Sequence, residues 1–187
     1  MTTRHYVVNS EGGLANVFVY ADLDRKYSAH STQVLLDQVG CTYEPYVLGV
    51  QTGQRLEIRN SDPEMHNVHF TPKRNPEINF SQHKGGVNYK VFDKPELFMR
   101  VKCDVHPWMF AYVSVSSHPF YAVTDTNGVF RLPRGLPAGR YTLTAAHLRA
   151  GMLWQEIDFR PGGQKAVRFQ FIVPATSQPR REVGSNQ

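Results

Sequence analysis

Apolar residues along this chain recur with period two. Gly, Pro and Asn turns interrupt them at intervals of roughly 8 to 12 residues, which predicts an all-β fold without long helices. After the Gly12-Gly13 turn, Leu14, Asn16 and Phe18 alternate with Ala15, Val17 and Val19, and the polar residues 22–32 form a connection. A strand region opens at Val34-Leu35-Leu36; beyond it Cys41, Tyr43 and Pro45 share one parity, so Cys41 is expected to point inward. Leu56 and Ile58 alternate with charged residues as a half-buried strand. Residues 71–90 carry Pro72, Pro76, Gly85 and Gly86 and read as a long loop or a weak edge strand. Strands follow at Leu97 to Cys103, Phe110 to Val115 and Tyr141 to His147, with an Asn127-Gly128 turn before the last of these. Gln164 to Val173 is expected to add a final strand, and the polar tail beyond Ala175 to be mobile.

Two segments carry chemistry on this framework. Cys103-Asp-Val-His106-Pro-Trp-Met109 places a thiol, an imidazole and a thioether within seven residues. Met65-His66-Asn67-Val68-His69-Phe70 can supply another imidazole from far away in sequence. Parity selects which one: His66 shares a face with Val68 and Phe70, whereas Asn67 and His69 take the other, so His66 points inward and His69 outward. One thiolate, two imidazoles and a weak thioether are the donors that suit copper in both oxidation states. The set therefore reads as a mononuclear copper site. Cys41 complicates it, and three readings stand open: a buried free thiol, a disulfide to Cys103 that removes a ligand, or an additional ligand. His5, His30 and His83 lie in polar stretches and are expected to be solvated; His118 and His147 end strands and are expected to have structural roles.

The same two motifs together resemble the cupredoxins, above all the amicyanin type, whose ligand loop has the Cys-x2-His-x2-Met spacing with proline after the histidine. Met65 stands where that family usually has proline. The resemblance covers roughly residues 33–117. It implies a Greek-key β-sandwich with His66, Cys103 and His106 as equatorial ligands of a type 1 (blue) copper and Met109 as the axial one. Asn67 would brace the ligand loop near the thiolate. Met65, Pro107 and Trp108 would form an apolar docking patch around an exposed edge of His106.

Beyond Ser117, Phe120 to Phe130 and Leu136-Pro-Ala-Gly-Arg-Tyr-Thr-Leu143 resemble the carboxypeptidase regulatory-like, or transthyretin-like, sandwich. Its usual opening strand matches Gly13 to Tyr20, which lies before the copper segment. The expected organisation is a cupredoxin domain over 31–117, inserted into or followed by a second small sandwich built from 5–30 plus 118–175, with a tail at 176–187. The module carries no evident catalytic group.

Composition narrows the function. A hydrophobic fraction of 41% with 20% charged residues is that of a folded protein. The net charge of +5 is scattered and forms no basic stripe, which argues against nucleic acid; only Arg180-Arg181 makes a small basic spot. No apolar run approaches the ~20 residues of a membrane helix. Met1 to Asn9 lacks a basic region followed by an apolar stretch, so the chain is expected either to be cytosolic or to have lost a signal peptide. Thiolate-copper chemistry and the resemblance imply a location outside the cytoplasm, periplasmic or otherwise extracytoplasmic. The expected function is electron transfer with a redox protein partner, a cytochrome or a membrane electron-transfer complex. The alternative is a structural or docking subunit of a larger membrane-associated redox or photosynthetic complex, with or without copper. An enzyme is not expected, because the remaining histidines form no second ligand cluster.

Overall fold

The computed structural model describes residues 5–160, apart from 24 and 26, together with 165–173. The expected mobile tail at 176–187, with Arg180 and Arg181, lies outside the described residues. Thirteen strands are formed among the described residues: β1 (Phe18–Ala21), β2 (Val34–Val39), β3 (Thr42–Glu44), β4 (Val47–Gln51), β5 (Leu56–Asn60), β6 (His66–Thr71), β7 (Ile78–Gln82), β8 (Val87–Lys90), β9 (Glu96–Lys102), β10 (Phe110–Ser116), β11 (Tyr121–Val123), β12 (Gly139–His147) and β13 (Gly151–Phe159). The chain is all-β, and no helix among the described residues is long and apolar enough to cross a membrane.

Two sheets, ordered β4-β10-β9-β6-β7 and β3-β2-β5-β8, share one core. Alternation decides their inward faces. Leu36, Tyr43, Leu56 and Ile58 come from one sheet, and Val50, Val68, Phe70, Met99, Val101, Ala111 and Val113 from the other. Each of the valine, leucine, isoleucine, phenylalanine and methionine side chains, removed from water, contributes ~1.5–3 kcal/mol before conformational entropy is counted. A third sheet, β11-β1-β12-β13, has its own core around Val17, Val19, Phe120, Leu143 and Ile157. β1 pairs antiparallel with both β11 and β12, so residues near the start of the chain hydrogen-bond to residues more than a hundred positions later. Gly49 in β4 lets the two parts meet: a Cβ there would lie 2.4 Å from Tyr121 Cε2 and 3.0 Å from Phe18 Cε2.

Two expectations are corrected. Residues 71–90 contain two strands, β7 against β6 and β8 against β5. Both are sheet edges, in keeping with the edge strand expected as the alternative; β7 alternates, with Ile78 and Phe80 packed on the core, whereas β8 is almost wholly exposed, and buried Glu96 fixes the proline-rich approach by accepting the backbone N–H groups of Lys73, Arg74 and Asn75. Of the strand expected from Gln164 to Val173, Gln164 lies outside the described residues, and 165–173 join no ladder among them. Val167, Phe169 and Phe171 do pack on the second core, since period two governs which side chains face inward but supplies no strand partner. The outer strand of that sheet is instead β13, whose exposed Met152, Trp154 and Glu156 conceal its pattern.

His118 and His147 are both buried and both bond locally. His118 Nδ1 accepts the Phe120 N–H at 3.2 Å. His147 Nδ1 accepts the N–H groups of Arg149 and Ala150 at 3.2 and 3.0 Å, closing the β12–β13 turn, while its ring stacks on Tyr6. Burial, reinforced by nearby His5, pushes the His147 pKa down to about 4. Burial likewise pushes that of His118 down. The unfolded chain therefore takes up a proton between pH 6.5 and about 4 that folded His147 refuses. Stability is expected to fall as pH drops through this window, by an amount of order 3 kcal/mol from His147 alone. Urea unfolding of His147→Asn, which keeps an acceptor but cannot titrate, should show a shallower pH dependence than the parent.

Candidate metal centre

Strand ends and one turn assemble the centre. His66 opens β6, and its ring is fully buried because its parity matches Val68 and Phe70. Cys103 follows the last residue of β9 and continues the inward face of Met99 and Val101. The chain then turns back into β10. Met109 N–H donates to His106 O at 2.9 Å and Cys103 N–H to Met109 O at 3.0 Å, which closes the loop onto itself.

The donor atoms of His66, Cys103 and His106 all lie within 4.8 Å of one another. His66 Nδ1 is 3.1 Å from His106 Nδ1, and Cys103 Sγ is 3.5 Å from His106 Nδ1. Two imidazole nitrogens and a thiol sulfur thus face a common point, and two of the three side chains are shielded from water. That donor set fits copper, and its nitrogen and sulfur chemistry fits poorly with magnesium or calcium. Met109 is also fully buried, in the same core cluster as Cys103.

Neighbouring groups hold the donors. Asn67 backbone N–H donates to Cys103 Sγ at 3.3 Å, and Asn67 Oδ1 accepts the Asp104 N–H at 3.2 Å. Tyr43, wholly buried on β3, donates its hydroxyl to Asn67 O at 2.7 Å and reaches Lys102 O at 3.4 Å. One phenol therefore bridges the two ligand-bearing strands, and burial raises its pKa far above the usual range. His69, on the other face, lies half-buried between Asp104 (2.8 Å) and Glu77 (2.6 Å). Hydrogen bonds from Lys102 and His69 hold the Asp104 carboxyl below its usual range.

Cys41 is not on an inward strand face. It sits in the β2–β3 turn with φ 53°, beside Gly40, and is half-buried. A turn residue with left-handed backbone resets the side-chain alternation, so parity counted back from Tyr43 does not carry through it. Both cysteines are free thiols, which removes the disulfide reading, and Cys41 is less buried than expected. Its sulfur nevertheless lies within 4.8 Å of Asp62 and His66 donor atoms. Partial desolvation, with Asp62 and Glu64 nearby, raises its pKa.

Asp62 is a residue that sequence reasoning does not single out. It is buried, with Oδ2 2.8 Å from His66 Nε2; Oδ1 accepts the Gly40 N–H at 2.6 Å, and Oδ2 the Cys41 N–H at 2.8 Å. Burial raises its pKa, but these hydrogen bonds outweigh burial and hold it below the usual carboxylate range. The outer rim is apolar: Met65, Val105, Pro107 and Trp108 are exposed, and the Trp108 ring lies 5.3 Å from that of half-buried His106.

No family model matches the chain, and no curated protein matches it. Among solved structures it is similar to a point mutant of amicyanin in its Cu(I) form, at 20% identity over 52% of this chain and 98% of the other, with a TM-score of 0.40. It is also similar to the copper-containing nitrite reductase of Thermus scotoductus SA-01, at 20% identity over 51% of this chain and 25% of that one, with a TM-score of 0.42. A purple cupredoxin from Nitrosopumilus maritimus aligns at 23% identity over 46% of this chain and all of its own, with a TM-score of 0.38.

Proposed function

We propose that this protein is an electron-transfer protein that holds one copper ion through His66, Cys103 and His106, with the Met109 thioether as a weak fourth donor. The observation that carries the reading is the convergence of the three donor atoms from two distant segments. Bound copper would supply a one-electron couple; the chain supplies a cage that need not rearrange. Its donors are fixed from outside, Cys103 by the Asn67 N–H and the loop by its own backbone bonds. Few groups are then left to reorganise when charge changes.

Electrons would enter and leave at His106, the donor residue nearest solvent. Met65, Pro107 and Trp108, with Val105 beside them, provide an apolar rim on which a redox protein, such as a cytochrome or a membrane electron-transfer complex, can dock without salt bridges. The reading is of a carrier rather than an enzyme, since it needs no open position for substrate. A thiolate copper centre also favours an extracytoplasmic, periplasmic setting.

We assign the centre to a cupredoxin-like unit at 31–117. Residues 5–30 with 118–175 are assigned to a second, carboxypeptidase regulatory-like sandwich that serves as scaffold. The pairing of β1 with β11 and β12 supports this division. Titration of the apoprotein with copper(II) tests the function: an intense visible thiolate-to-copper band should grow and saturate at one equivalent per chain. A colourless, metal-free chain that co-purifies with a larger assembly would favour the docking-subunit reading instead.

A further inference from the structure

His66 has two ring nitrogens, and only one faces Cys103 and His106. The other, Nε2, points away from the centre at Asp62 Oδ2, 2.8 Å distant, in a place where neither group meets bulk water. A buried carboxylate costs free energy unless its lone pairs are satisfied. Here two backbone N–H donors, of Gly40 and Cys41, converge on it, and His66 Nε2 lies within hydrogen-bond distance of an ionised oxygen that can only accept. With the Gly40 and Cys41 N–H groups directed at its oxygens, Asp62 is committed as an acceptor that faces His66 Nε2. The loop that carries it is pinned as well. Asn60, fully buried, accepts the Asp62 N–H at 3.0 Å and donates to Glu64 O and Gln82 O, and Ser61 N–H bonds to Gln38 O on β2.

An imidazole whose Nε2 hydrogen is held by a carboxylate has Nδ1 bare and directed the other way. The carboxylate also increases the electron density at Nδ1, which favours the more highly charged ion. We propose that Asp62 is the positioning residue of this centre: it locks His66 as the Nε2–H tautomer, ties the ligand to the β2–β3 turn, and biases the site toward copper(II). The inference rests on the copper reading above. Asp62 touches no metal itself; it acts through His66.

The test compares the full-length parent with Asp62→Asn, each loaded with copper. Loss of a carboxylate behind a metal-bound histidine typically lowers affinity about 10–100-fold. The loss should fall mainly on copper(II), so the reduction potential should rise; a selective tenfold loss corresponds to about 59 mV for a one-electron couple. A merely structural role would lower thermal stability and leave the potential in place. An Asp62→Asn protein with the parent's copper(II) affinity and potential overturns the inference while leaving the copper reading intact. A parent that takes up no coloured copper overturns the copper reading, and the inference with it. Should Asp62→Asn fail to fold, nitrogen-15 spectra of the unmutated apoprotein decide: His66 protonated at Nε2 and bare at Nδ1 is the expected result, and protonation at Nδ1 overturns it.

Discussion

Cys103→Ser is expected to abolish the visible band of the copper-loaded protein while leaving the fold in place. The band requires charge transfer from a thiolate, and an alcohol oxygen at the same position is both a weaker donor to copper and far harder to deprotonate. The substitution is nearly isosteric. The hydrogen bond that Asn67 N–H donates to the sulfur can be accepted by a hydroxyl oxygen, so that buried donor is not orphaned. Cys41→Ser is the matched control. That sulfur belongs to the turn whose backbone Asp62 holds and is outside the His66, Cys103 and His106 set, and its loss should leave the colour unchanged. Absorption spectra of the two variants, taken beside circular dichroism, separate the roles. Colour lost with Cys41 and kept with Cys103 would reverse the assignment of the thiolate.

The largest expected effect on stability comes from Phe70→Ala. Phe70 is fully buried at the meeting of three strands, opposite Ile78 on β7 and Val101 on β9, and its ring lies 5.4 Å from that of Phe92. Removing it takes away the transfer free energy of the ring and leaves a cavity that strands on both sides keep open. The cost should be about 3–5 kcal/mol, a large share of the ~5–15 kcal/mol that holds a typical domain together. Because β6 also carries His66, copper should restore part of the loss, as any ligand does that binds only the folded chain. Urea unfolding with and without copper measures both effects. A change below about 1 kcal/mol, the scale of an ordinary surface substitution, would place Phe70 outside the core.

Much of the centre is legible because strand parity is a local rule. His66, Val68 and Phe70 on one face of β6, and Met99, Val101 and Cys103 on one face of β9, are separated from their neighbours by alternation alone. The return loop is legible from its spacing. Parity stops at turns, however, and both surprises near the centre lie in turns. Cys41 has a left-handed backbone that breaks the alternation, and Asp62 lies in the Asn60-Ser-Asp-Pro63 segment, which reads only as the end of a strand. A buried acid in a turn differs in no local pattern from a solvated one, and its partners Gly40 and Cys41 are distant in sequence. The carboxylate four residues before His66 is the single clue, and spacing of that kind carries no meaning outside a helix. Tyr43 has a legible inward parity, but its hydroxyl reaches Asn67 and Lys102 only through tertiary packing. β8 and β13 are hidden for another reason: edge strands with exposed side chains carry little alternation.

One copper, held by His66, Cys103 and His106, is proposed to pass a single electron in and out without leaving its cage. Spectroelectrochemical titration of the copper-loaded protein tests this most directly. The visible band should bleach with one electron per chain and return in full on reoxidation, over repeated cycles, with copper content unchanged. A band that never forms, or copper lost on reduction, would contradict it.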